Sequence, residues 1–235
     1  MSLVTVHERI VNCTRCARLR DYCAQVAREK KAAHRQEIYW GKPVPGFGDP
    51  QARLLILGLA PAAHGANRTG RVFTGDGSGD FLMTALHATG FANIPTSRSV
   101  DDGLRLTDAY IAAAVRCAPP DNKPLQNELA ACQAHLCAEL EELSRVRVVV
   151  ALGKIAFDTW WRAMHAKGTA IRPRPSFGHG AVSQPAGAPA VIASYHPSRQ
   201  NTNTGKLTPR MLEAVFRQAV RLIQADNPQP KARSR

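Results

Sequence analysis

The chain has 235 residues, 44% of them hydrophobic and 21% charged, enough apolar material for one large domain or two small ones, which excludes wholesale disorder. Lys and Arg number 31 against 18 Asp and Glu, and the resulting net charge of +13 attracts polyanions, nucleic acid foremost, through phosphate neutralisation. The apolar runs at 54–59 and 146–152 fall far short of the ~20 residues of a membrane helix, and Glu8 and Arg9 break the opening where a signal peptide would be apolar. A cytoplasmic, nucleoid-associated protein without a membrane partner is the expectation.

Residues 1–50 read as an N-terminal appendage that carries Cys13 and Cys16 and leaves through the Pro/Gly-rich segment 41–50. Residues 53–59 (RLLILGL) are a short apolar run without polar alternation, the pattern of a strand buried on both faces. A helix is predicted over 79–89. Residues 109–116 (AYIAAAVR) suit a strand or, through their alanines, a helix. Leu129, Leu136, Leu140 and Leu143 form one stripe of a helix over 127–144. A strand at 147–152, a helix at 155–166, a strand at 190–195 and a helix at 208–225 complete the alternation. Residues 1–227 then form a single domain, and 228–235 a basic disordered tail. Basic residues are densest at 28–35, 167–174 and 231–235. No internal repeat is present.

Strands alternating with helices predict an α/β fold, a three-layer doubly wound sandwich around a central four-stranded, mainly parallel sheet. Ligands bind such sheets beyond the carboxyl ends of the strands. The Gly/Pro-rich loops 60–79, 118–124 and 196–206 are therefore expected to converge on one cleft. The first is dense in glycine, yet it lacks the phosphate-binding spacings, and Asp76 and Asp80 would repel an anion.

Six cysteines in a cytosolic basic protein are unsuited to disulfides. Cys13 and Cys16 form a C-x2-C pair, while Cys117 sits at the end of the strand candidate 109–116 and Cys132 lies in the following helix. Together the four can make a long-range thiolate site that pins the N-terminal segment to the core, with zinc or a [4Fe-4S] cluster as occupant. Cys23 and Cys137 read as small core residues.

Taken together, the segments GLAPAAHG, GRVFTGD and HPSRQNTNTG resemble the uracil-DNA glycosylase superfamily, and most closely its family 5, or type B, members. The resemblance spans roughly residues 10–220, and Cys13, Cys16, Cys117 and Cys132 fall in the family's ligand order. It implies a [4Fe-4S] cofactor over zinc, and DNA, double- or single-stranded, as partner of a monomeric enzyme.

The implied reaction extrudes uracil and other deaminated or modified bases and hydrolyses the N-glycosidic bond, leaving an abasic site. Phe73 resembles the stacking platform, the alternative being a core Phe beside a turn. His196 resembles the donor to the base carbonyl as charge develops. Asp76 resembles the acidic residue that activates water or stabilises the sugar cation, although an Asp before Gly also suits a turn or a helix N-cap. Asp80 is the rival carboxylate, read as the cap of the next helix. Asn122 resembles a further pocket residue, although an Asn between prolines equally suits a turn, and Ser198, Arg199 and Gln200 resemble a groove-entering loop in which Arg199 meets phosphate. Gly58, Ala60 and Ala62 line the first loop. Ala60 stands where several relatives carry a water-positioning side chain, which it cannot replace. Ala62 leaves room for substituents at the pyrimidine 5-position and for a purine such as hypoxanthine. The absence of a suitably placed lysine argues against a lyase step. The rivals are a non-catalytic zinc-stabilised nucleic-acid-binding protein and a small-molecule hydrolase on the same architecture.

Overall fold

Four apolar pentapeptides, β2 (Leu54–Gly58), β3 (Ala109–Ala113), β4 (Val148–Leu152) and β6 (Ala190–Ser194), form the parallel centre of one sheet in a computed structural model that describes residues 1–169, 173 and 175–225. Two dipeptides, β1 (Phe47–Gly48) and β5 (Val182–Ser183), pair antiparallel with β3 and β6 and close the edges. The strand order is β1-β3-β2-β4-β6-β5. Ile56 lies opposite both Ile111 and Val150, and Val150 opposite Ile192, so the four central strands share one register.

That register sorts the side chains by parity. Leu54, Ile56, Ile111, Val150 and Ile192 face the layer of α4 (Gly77–Ala88) and α8 (Pro209–Ala225), packing with Leu82, Leu86, Leu212 and Phe216. Leu55, Leu57, Tyr110 and Val149 face α5 (Gln126–Glu142) and α6 (Lys154–Ala166), packing with Leu136, Phe157 and Trp160. Each fully buried Leu, Ile or Phe contributes about 1.5–3 kcal/mol. The alanine-rich 109–116 segment is a strand, because residues with neighbours on both sheet faces and both edges follow tertiary context over helix propensity. The four expected strands and four expected helices are present to within three residues at each end, the largest difference being at 109–116, where the strand stops at Ala113. The edge dipeptides are too short to leave a periodic signature.

The N-terminal segment folds into α1 (Leu3–Val11) and α2 (Ala17–Glu29) and is built into the body. Val6 and Ile10 are buried as α1 lies along α5. His7 Nε2 and Tyr110 Oη are 2.7 Å apart, and Tyr110 Oη donates to Glu139 Oε1 at 3.1 Å. The wholly buried Glu139 also pairs with Arg116 and accepts from Gly46 N–H. Buried charges persist only when paired in this way, so the network fixes the N-terminal segment against the start of the loop that follows β3. The tail from Pro228 and part of the basic stretch 167–174 lie outside the described residues.

Candidate active site

The carboxyl ends of β2, β3 and β6 deliver the three loops singled out by sequence. Leu54–Gly58 ends on a glycine for a steric reason, since a Cβ there would stand 2.7 Å from Cε2 of Phe73. Phe73 lies on that spot with φ at +49°, a left-handed conformation that costs a non-glycine residue about 1 kcal/mol. Its ring is half-buried and stacks against His196, with centroids 5.9 Å apart and planes 29° from parallel.

The strained turn is held by buried polar side chains. Arg71 donates to Thr74 Oγ1 at 2.9 Å, to Ser97 Oγ at 3.1 Å and to Asp102 Oδ2 at 2.7 Å. Burial opposes ionisation of Asp102, but Arg71 and the N–H groups of Leu104 and Arg98 hold its carboxyl down at about 2. Gly75 N–H donates to Ser97 O, and Arg68 donates to Gly75 O at 3.0 Å. The residue that follows, Asp76, is thus placed from both sides.

Asp76 plays two parts at once. Its Oδ1 accepts the N–H of Ser78 at 2.8 Å and of Gly79 at 3.0 Å, which caps α4. Its Oδ2 points across to the first loop, where a Cβ on Gly65 would come within 2.1 Å of it and 3.2 Å of the Ala62 Cβ. Burial pushes the Asp76 carboxyl above its ordinary value, while the two N–H donors and the nearby Arg199 guanidinium pull it back. The cap expected of Asp80 is corrected here. Asp80 Oδ1 accepts from Ser97 N–H at 3.0 Å, one turn inside the helix, where the free N–H groups of the N-terminus have already been met by Asp76.

His196 follows β6 by two residues and is half-buried. Desolvation lowers its pKa to about 4, which makes the ring neutral at pH 7 and a donor through one nitrogen only. The loop is set through the backbone, because Asn201 Nδ2 donates to His196 O at 2.9 Å and Ser198 caps the short helix α7 (Arg199–Asn203). Arg199 is exposed, and Lys206 Nζ lies 4.9 Å from the Tyr195 ring centroid.

These contacts bring Phe73, His196 and Gly58 together, and Asp76 Oδ2 to the space beside Gly65 and Ala62. Ala60 packs against Ala114, Val115 and Leu129. Asn122 stands apart from the cluster, exposed at the end of a 3-10 turn, with both it and Asp121 at positive φ, 56° and 53°. Neither the space beside Gly65 nor the Arg71 network is marked in the sequence beyond the glycine density of the first loop.

Behind this site, Cys13, Cys16, Cys117 and Cys132 line one small recess together with Arg20, Arg116 and His135. Burial, joined by the neighbouring thiols, raises Cys16 and pushes Cys132 to about 12. The Nε2 of His135, buried in the same recess, has no hydrogen-bond partner among the described residues. Cys23 is buried against Cys117, and Cys137 packs at the edge of the α5–α6 layer. Among the described residues, no three His, Cys, Asp or Glu side chains are gathered closely enough to hold a single metal ion. No helix among them is long and apolar enough to cross a membrane.

Residues 45–220 match the family model described as the Uracil DNA glycosylase superfamily. The type-5 uracil-DNA glycosylase of Mycobacterium leprae is 47% identical over 222 residues, which cover 94% of this chain and 96% of that protein. That of Thermus thermophilus is 49% identical over 215 residues, 92% and 95% of the two chains. A type-4 uracil-DNA glycosylase of Thermotoga maritima is 30% identical over 156 residues, 66% of this chain and 69% of its own. These relatives lend no support to a non-catalytic zinc-stabilised binding protein. The chain belongs to the uracil-DNA glycosylase superfamily and, within it, to the type-5 family.

Proposed function

We propose that the chain is a monofunctional DNA glycosylase that removes uracil from DNA by hydrolysis, and that Asp76 and His196 carry the reaction. The observation behind this reading is the stacking of the Phe73 ring on a neutral His196 imidazole at the carboxyl ends of β2 and β6, with the half-buried Asp76 carboxylate three residues beyond that ring in the same turn. A base turned out of the duplex stacks on Phe73, over the bare backbone of Gly58. The C1′–N bond breaks with its electron pair moving to the base. His196 donates a proton-bearing nitrogen to the base carbonyl as negative charge builds there, and a neutral ring does so without becoming a cation sink for the leaving group. Asp76 Oδ2 faces the sugar, where it balances the cation-like C1′ and takes the proton of the attacking water. Because burial raises the Asp76 carboxyl, the acid limb of activity should lie above pH 3.8.

Asn122, exposed on its left-handed turn, supplies base-edge hydrogen bonds when DNA is bound, and Arg199 contacts phosphate. Ala62 leaves the pocket wide enough for 5-substituted uracils and hypoxanthine. The protein acts as a single-domain monomer on double- or single-stranded DNA in the cytoplasm, at the nucleoid.

Cys13, Cys16, Cys117 and Cys132 suit a [4Fe-4S] cluster. Four thiols around one recess, and a His135 nitrogen beside them that has no partner among the described residues, fit a hydrogen-bond-accepting inorganic group. Such a cluster would clamp the N-terminal segment to the loop after β3. Incubation with a uracil-containing duplex, followed by alkali, tests the function. Alkali-dependent breaks at uracil support it, and an intact strand overturns it.

A further inference from the structure

The strongest basic density among the described residues lies on the segment between α2 and β1, and it borders the first loop of the site. Lys30 ends α2 at a φ of 54°, and its Nζ donates to Arg35 O at 3.3 Å. Lys31 and Arg35 stand exposed. The one acid between residues 30 and 40, Glu37, is occupied by Arg68 and by His34 Nδ1, 2.7 Å away, so the cations are left to the solvent side.

The segment is held firmly against the site. Tyr39 is buried, its Oη 3.0 Å from His64 Nδ1, and Trp40 N–H and Gly41 N–H donate to Arg68 O and Asn67 O. The Arg68 guanidinium bridges Glu37 on this segment and Gly75 O, the neighbour of Asp76. Between the two pinned residues Glu37 and Tyr39 stands Ile38, 93% exposed. A stray exposed Ile needs no explanation. This one is presented from a clamped loop, amid cations, one guanidinium away from the residue before the carboxylate.

We propose that residues 30–40 form a second DNA-contacting element, separate from the Arg199 loop, in which Lys31 and Arg35 neutralise phosphates and Ile38 presses into a groove beside the extruded nucleotide. Charge complementarity and continuity with the base pocket select DNA as the occupant over an acidic peptide. Apolar side chains of this kind unstack base steps and favour extrusion. The inference rests on the glycosylase reading.

The test uses the full-length protein and a fluorescent duplex carrying a non-hydrolysable 2′-fluorinated deoxyuridine, titrated across salt concentrations. Each phosphate contact adds about 0.9 to the slope of log K against log salt, so Lys31→Ala/Arg35→Ala should make the slope shallower by about 2. Ile38→Ala should weaken binding several-fold with the slope unchanged and reduce extrusion, read with 2-aminopurine opposite or beside the uracil. Wild-type slope in the double variant, or wild-type affinity and extrusion in Ile38→Ala, overturns the proposal. A wild-type protein that fails to cleave a uracil duplex, while the double variant still loses slope, removes the glycosylase reading and leaves this DNA contact standing.

Discussion

Replacing Gly65 by Ala should disable the enzyme while leaving it folded. The added Cβ would meet Asp76 Oδ2 at 2.1 Å and its Cγ at 3.0 Å, whereas ordinary contacts begin near ~3.4 Å. The carboxylate must therefore retreat by about 1 Å. Rotation alone does not clear the clash, because Cγ is also too close and Oδ1 is tied to the N–H groups of Ser78 and Gly79. A misplacement of that size at a reacting centre costs on the order of 100-fold in rate. Weakening the α4 cap costs about 1 kcal/mol, or roughly 2–4 °C in Tm for a chain of this size. Single-turnover excision from a uracil duplex and thermal melting separate the two quantities. Gly77→Ala is the matched control, since its Cβ would find nothing nearer than Arg199 Nε at 4.0 Å. A Gly65→Ala protein that excises at the wild-type rate would refute the assignment of Asp76 Oδ2 to the reaction.

Three further outcomes follow from the same geometry. His196 has a folded pKa near 4 against 6.5 when free, so the unfolded chain binds the extra proton first and stability drains away as pH falls from about 6.5 to 4, by up to ~3 kcal/mol; Tm against pH should be flatter in His196→Ala, and parallel curves would contradict the burial argument. Ala62→Tyr should slow excision of hypoxanthine far more than of uracil at single turnover, by the ~1–3 kcal/mol that steric exclusion of a small group commands; an equal loss on both would show that residue 62 does not set pocket width. Cys117→Ser should lose iron and acid-labile sulfide and melt earlier, while Cys137→Ser keeps both; full iron retention in Cys117→Ser would remove Cys117 from the ligand set.

The sheet was legible because buried parallel strands announce themselves as unbroken apolar runs, as in LLILG and VVVAL. The ambiguity of AYIAA was genuine, since alanine carries little strand preference and only its place between β1 and β2 decides it. Motif residues were legible by their place at strand ends. What supports them was not. The room that Gly65 leaves for a carboxylate, the Arg71 and Asp102 pair that braces the Phe73 turn, and the Tyr39–His64 contact all join segments distant in sequence. No local periodicity encodes such pairs. Asp76 and Asp80 show the same limit, because an Asp at either position satisfies the rules for a helix start, and only the path of the Ser97 loop assigns Asp80 elsewhere.

The most direct test of the account is single-turnover excision from an end-labelled uracil duplex by the wild type and by Asp76→Asn, read after alkali, with duplex affinity measured alongside. The account predicts alkali-dependent cleavage at uracil by the wild type and a loss of at least ~100-fold in Asp76→Asn at unchanged affinity, because the amide keeps the shape of the cap but not its charge. Uracil left in place by the wild type, or equal rates in the two proteins, would contradict it.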